Sequence, residues 1–149
     1  AVREFLVGVF QQAKPDENKG QPITAQQLLG IGERQLATVV RNQPAIRADL
    51  TGLIGALYWD IGDYPHAEPL LKKAVEAGTD VGVSNEIRAR NLLGLAAMEE
   101  DKRVLDAAYA HGQQALALAQ QAGRPGVTEG NNAPRAIADV LLGSGASRP

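Results

Sequence analysis

The sequence LIGALYWDIGDYPHAEPLLKKA, residues 53–74, contains the pattern that decides the fold. Apolar residues at helical spacing precede and follow a Gly-Asp turn signal at 62–63. Gly55 stands before the turn, and Ala67 and Ala74 follow it, seven residues apart. We predict that these three small residues lie where two antiparallel helices approach most closely, because large side chains would keep the helices apart.

A second stretch, LLGLAAMEEDKRVLDAAYAHGQQAL at residues 92–116, repeats this arrangement. Gly94 precedes a charged turn, and Ala108 and Ala115 follow it with the same spacing of seven residues. Two related helix pairs in succession are typical of a helical solenoid, in which each pair packs against its neighbours.

Apolar spacing along the whole chain predicts seven helices and no strand. Thr24 and Gln27 form a capping box, Pro44 suits the first position of a helix, and Gly78 suits a helix end. The predicted helices span residues 2–13, 24–42, 44–61, 64–77, 85–99, 103–122 and 134–143. The last of these is the first half of a pair, so we expect the chain to be cut within a repeat.

The fold class predicted from this order is all-α, a right-handed stack of antiparallel helix pairs with about seven helices. Four parts follow along the chain. They are an N-terminal helical pair at 1–43, a first repeat unit at 44–78, a second, longer unit at 79–124, and the first half of a third unit at 125–149.

Composition narrows the classes of function. The chain has 149 residues and a net charge of −2, with no cysteine. The scattered cations give no electrostatic footprint for nucleic acid, and the lack of cysteine excludes disulfides, thiolate metal sites and cysteine nucleophiles. No apolar run approaches the roughly 20 residues that cross a bilayer, so we expect no membrane contact by the chain itself.

No constellation of residues predicts catalysis, a metal or a cofactor. His66 and His111 lie in different predicted helices without metal-ligand spacing, and we interpret them as surface or turn histidines. The glycines at 30–32 lack the third glycine and the preceding strand of a phosphate loop, and the serines lack a nucleophile elbow. We therefore predict that this chain is not an enzyme.

The small and large residues of the first unit resemble the tetratricopeptide (TPR) repeat, in which Leu-Gly, Tyr, Ala, a large apolar residue and Ala recur in order. The residues that carry the resemblance are Gly55, Tyr58, Ala67, Leu71 and Ala74. The second unit departs from the pattern, with Ala97 in place of the Tyr and Gly112 in place of the large residue. Its glycine follows that of the first unit by 39 residues, so the spacing is similar to that of longer repeats of the kinesin-light-chain type. The resemblance implies an α-solenoid that binds proteins.

A narrower resemblance covers more than half of the chain. Residues 5–10 (FLVGVF), Pro15, 23–29 (ITAQQLL), 43–44 and 64–71 resemble the segment that follows the kinase domain in bacterial Ser/Thr protein kinases with TPR arrays. This resemblance implies a larger signalling protein with a membrane anchor. The present chain would then lie on the cytoplasmic or on the periplasmic side of the membrane. The chain itself contains none of the kinase motifs.

In TPR stacks the first helix of each repeat lines a concave groove, and the repeat pattern assigns candidate residues to it. These are Asp49, Gly52, Ala56, Trp59 and Asp60 in the first unit, and Arg88, Asn91, Leu95, Met98 and Glu99 in the second. Trp59 suits an anchor, Asn91 suits a peptide backbone, and Arg88 suits a carboxylate. The alternative is a core Trp59 with Asn91 and Arg88 solvated.

The leading hypothesis is therefore a protein–protein interaction scaffold that binds a peptide or protein in this groove. The alternative is a structural element that self-associates through its open helical end, where the last predicted helix exposes Ile137, Val140, Leu141 and Leu142. A third hypothesis is an enzyme with a small-molecule site between helices. The sequence identifies neither the partner nor the compartment.

Overall fold

The computed structural model describes residues 2–13, 19–39 and 41–121, and within these ranges the chain is helical without strands. It contains α1 (Val2–Gln12), α2 (Ala25–Val39), α3 (Pro44–Asp60), α4 (Tyr64–Ala77), α5 (Asn85–Asp101) and α6 (Leu105–Gln121). The predicted all-α class is confirmed for these residues. The seventh predicted helix, and with it the proposed self-associating end, lies outside the described residues. None of the six helices combines the length and the apolarity needed to cross a bilayer.

The chain divides into two compact units between Gly82 and Val83. The first unit contains α1 to α4, and the second contains α5 and α6. The right-handed stacking of helix pairs and the finer repeat boundaries stay predictions.

Local signals begin the helices where the sequence predicts, within a residue or two. The capping box is present, since Gln27 N donates to Thr24 Oγ1 (3.1 Å) and Thr24 N donates to Gln27 Oε1 (2.9 Å). Pro44 occupies the first turn of α3, where its missing N–H costs no hydrogen bond. The boundary between α5 and α6 differs from the prediction, because Arg103 adopts a left-handed φ of 63° and α6 starts only at Leu105.

The helices α3 and α4 form the antiparallel hairpin that the opening stretch predicts. A Cβ atom on Gly55 would lie 3.1 Å from Leu71 Cγ and 3.2 Å from Leu70 Cβ. Closer to the turn, the ring of Tyr58 stacks on that of His66 with centroids 5.0 Å apart. Gly55 therefore marks the close approach of the two helices, as predicted.

The core of the first unit takes residues from all four helices. Tyr58 is only 2% exposed, and Ala67 and Ala74 are fully buried. The principal core cluster contains Phe5, Val9, Ile31, Leu36, Leu50, Ile54, Tyr58, Ala67 and Leu70. Burial of this apolar surface is the main source of stability for the unit.

The second unit is also a helical hairpin. Ala96 of α5 and Ala108 of α6 share a buried cluster, and Ala115 is fully buried. The predicted burial of the two α6 alanines is confirmed. Gly94 is only half-buried, so the match to the first pair is weaker there.

Candidate functional site

The candidate groove residues of α3 lie at the edge of the packed interior. Asp49, Ala56 and Trp59 are half-buried, and Asp60 is exposed, whereas Gly52 is buried. Four of the five residues assigned to the first unit therefore reach the surface.

The candidate groove residues of α5 are placed differently. Asn91, Leu95, Met98 and Glu99 are buried, and Arg88 is half-buried. The burial of Asn91, Leu95 and Met98 is an observation on this structure, and their assignment to a groove stays a prediction.

The structure instead exposes an apolar row along α3 and its end. Leu53 is 53% exposed, Leu57 40% and Ile61 46%. These residues are four positions apart and so lie above one another on one side of the helix. We call these three residues the α3 row. Sequence reasoning missed it because α3 is apolar on nearly every side, so its pattern does not show which side meets water.

The α3 row borders the groove residues predicted on the same helix. Asp60 is three residues from Leu57, and Ala56 is three residues from Leu53, so each lies beside the row on the helix surface. The exposed carboxylate of Asp60 therefore adds a negative charge next to the apolar side chains.

Trp59 is neither a fully exposed anchor nor a fully buried core residue. It packs against the core cluster of the first unit and remains half-buried. Its ring contacts the exposed ring of Tyr64, with centroids 4.5 Å apart and planes tilted by 45°. Trp59 is the only tryptophan of the chain, so its fluorescence reports on the first unit alone.

A polar pair connects α2 to α3 in the first unit. The Tyr58 hydroxyl donates to Glu33 Oε2 over 2.9 Å. Burial raises the pKa of Tyr58 above its ordinary value, and the nearby Glu33 carboxylate raises it further because a phenolate would be repelled there. Tyr58 is therefore a neutral donor that satisfies a carboxylate at the edge of the core.

A second polar cluster caps α4. Asp63 Oδ1 accepts a hydrogen bond from the backbone N–H of His66 and lies 2.8 Å from His66 Nδ1, while Gln26 Nε2 donates to Asp63 Oδ2 over 2.6 Å. The hydrogen bond to the carboxylate raises the pKa of His66, and the same bond lowers the pKa of Asp63. His66 is exposed, as predicted, and its ring belongs to a helix cap.

His111 also faces a carboxylate, since its Nδ1 lies 2.7 Å from Glu99 Oε2. The ring is half-buried rather than a surface group, because it approaches the buried Glu99. Among the described residues, no group of three or more His, Cys, Asp or Glu side chains converges as metal ligands would. The paired polar groups of both units therefore connect and cap helices.

Searches of protein-family models, curated proteins and solved structures with this chain returned no match.

Proposed function

We propose that this chain is a protein–protein interaction scaffold that binds a peptide or protein segment along the α3 row. The supporting observation is that three large apolar side chains, Leu53, Leu57 and Ile61, stand in one line and are each at least 40% exposed. Single exposed leucines are ordinary, but a continuous line of them is typical of a binding surface. In this proposal the helix pairs stack as in TPR proteins, and the chain is the docking or sensory part of a larger bacterial signalling protein related to Ser/Thr kinases.

The surroundings of the row define the chemistry of the partner. The apolar side chains of the α3 row recur every four residues, and such a row fits apolar side chains that recur along a partner helix or strand. The exposed Asp60 lies beside this line, so a Lys or Arg flanking the apolar residues of the partner would be favoured over an acidic residue. We therefore propose a partner segment that is apolar along one side and basic at its edge.

Selection from a random-peptide display library tests this function directly. We expect the chain to enrich peptides with recurring apolar residues and a neighbouring Lys or Arg. Binding should be lost in a Leu53→Gln/Leu57→Gln variant, which keeps helix-forming residues at both positions. The matched control is Leu105→Gln, because Leu105 is a 50% exposed leucine of the second unit.

Titration of the enriched peptides against Trp59 fluorescence then gives affinities. Asp60→Asn should weaken binding of the basic peptides, but it should have no effect on analogues in which Lys or Arg is replaced by Gln. Enriched peptides that bind the Leu53→Gln/Leu57→Gln variant as well as the unaltered chain would refute the proposal.

Self-association is the competing function, and sedimentation of the unaltered chain over a range of concentrations distinguishes it. A dimer that dissociates in the Leu53→Gln/Leu57→Gln variant would assign the row to a second copy of the chain and overturn the peptide-binding proposal. A monomer at all concentrations leaves the row available to a different partner.

A further inference from the structure

The first unit contains a cleft of about 460 Å³ between α2, α3 and α4. Three cationic residues line it: Arg41 follows α2, Arg47 belongs to α3, and Lys73 belongs to α4. Glu33 is the one carboxylate among the described lining residues. We call this space the basic cleft.

The gathering of cations in the basic cleft is notable in a chain of net charge −2. Three positive charges and one negative charge, from α2, the residues that follow it, α3 and α4, meet around one space. The mutual repulsion of the cations is relieved when an anion enters. Arg47 also approaches Asp80, but Nη2 and Oδ2 are 3.8 Å apart and both side chains are more than 40% exposed. A pair of this kind contributes little and leaves the guanidinium able to bind an anion.

Apart from Thr51, the remaining described residues that line the basic cleft are apolar. Leu36 and Leu70, both belonging to the core, contribute to it, and two alanines extend it. The combination of a mainly apolar wall with a few convergent charged groups is typical of small-molecule sites, whose volumes run from about 300 to 1,000 Å³.

We propose that the basic cleft binds a small organic anion with one acidic head group and an apolar body. The guanidinium groups of Arg41 and Arg47 suit a carboxylate or phosphate head, since each can donate two parallel hydrogen bonds, and Lys73 adds a point charge. The apolar body lies against Leu36 and Leu70. This site is separate from the α3 row, because none of Leu53, Leu57 and Ile61 lines the cleft.

Binding of simple amphiphiles, measured by calorimetry, tests the proposal. The probes are octanoate, octyl phosphate, 1-octanol and inorganic phosphate. We expect octanoate or octyl phosphate to bind at least about tenfold more tightly than neutral octanol, because charge-assisted hydrogen bonds are lost with the head group. Inorganic phosphate should bind more weakly than octyl phosphate, since it lacks an apolar body. The tighter of the two anionic amphiphiles identifies the preferred head.

Adjacent lysines of α4 supply a matched control for the site. Lys73→Gln should weaken binding of the preferred amphiphile about tenfold, whereas Lys72→Gln should leave it unchanged. Lys72 is an exposed residue that does not line the cleft, and its Nζ pairs with Glu68 Oε1 at 2.9 Å. Each variant loses one positive charge, so a general electrostatic effect would lower the affinity for the amphiphile equally in both.

Replacement of the one lining carboxylate should have the opposite effect. Glu33→Gln removes a negative charge from the basic cleft while retaining an oxygen that can accept from the Tyr58 hydroxyl, so the affinity for the anion should rise. Any of three results would overturn the proposal. Octanol could bind as tightly as both anions, the affinity could fall equally in Lys72→Gln and Lys73→Gln, or the affinity could be unchanged in Glu33→Gln.

Discussion

Replacement of Gly55 by alanine should destabilise the first unit, whereas the same replacement at Gly30 should stabilise it. Gly55 lies inside α3 and Gly30 inside α2, so both exchanges gain about 0.5–1 kcal/mol from the higher helix propensity of alanine. The expected difference comes entirely from what the added methyl group contacts.

The surroundings of the two glycines set the magnitude. A Cβ on Gly55 would lie 3.1 Å from Leu71 Cγ and 3.2 Å from Leu70 Cβ, and carbon atoms prefer about 3.5–4.0 Å. Because Leu70 Cβ is fixed to the backbone, a change of rotamer cannot relieve this contact, and α4 itself must shift. Such overpacking costs about 1–3 kcal/mol, which exceeds the propensity gain and leaves a net loss of up to about 2 kcal/mol. At Gly30 the nearest atoms are Arg34 Nη1 at 3.7 Å and Tyr58 Oη at 3.8 Å, which are ordinary contacts.

Urea denaturation followed by Trp59 fluorescence measures both effects, since this residue lies in the same unit as the two glycines. Gly30→Ala should move the midpoint to higher urea, and Gly55→Ala should move it to lower urea without changing the slope. If Gly55→Ala were at least as stable as Gly30→Ala, the close approach of α3 and α4 at Gly55 would be refuted.

Three further perturbations probe the same unit. Ala74→Leu places a large side chain at a fully buried position and should lower the free energy of unfolding by about 1–3 kcal/mol; an unchanged urea midpoint would contradict this packing. Tyr58→Phe removes the hydroxyl that donates to Glu33 and should cost about 0.5–1.5 kcal/mol in the same assay, so a variant of full stability would show that the bond is unimportant. Asp63→Asn should lower the pKa of His66 in an NMR titration, since the carboxylate raises it. The raised pKa stabilises the folded state below about pH 6.5, the unfolded value, and this contribution is lost as the pH rises through the folded pKa. Asp63→Asn should therefore reduce the stability that the folded state loses as the pH rises. A pKa of His66 that does not move in this variant would contradict the pairing of His66 with Asp63.

The α3–α4 hairpin could be predicted from the sequence because its signals are local. The turn at Gly62 and Asp63 interrupts two apolar patterns, and the small residues Gly55, Ala67 and Ala74 stand at spacings that bring them to one interface. The turn is present with Gly62 at φ 79°, a conformation that glycine adopts without strain.

The site residues were less predictable because their exposure depends on packing between distant segments. The repeat pattern assigned Leu95 and Met98 to a groove, and the structure buries both. Polar residues such as Glu86, Arg90 and Glu100 are spread among the apolar residues of α5, so its sequence does not mark one outer face. The hydrogen bond from Tyr58 to Glu33 joins residues 25 positions apart in the chain. No spacing rule for a single helix connects such residues, so only the packing of α2 on α3 brings them together.

The different sides of α3 separate folding from the proposed binding. Gly55 lies against α4, and Tyr58 contacts both His66 of α4 and Glu33 of α2, so changes at either residue alter stability. The side that carries Leu53 and Leu57 remains about half exposed, so glutamine there removes little buried apolar surface and should leave the unit folded. A loss of peptide binding in the Leu53→Gln/Leu57→Gln variant, at unchanged urea midpoint, can therefore be attributed to the surface itself rather than to unfolding.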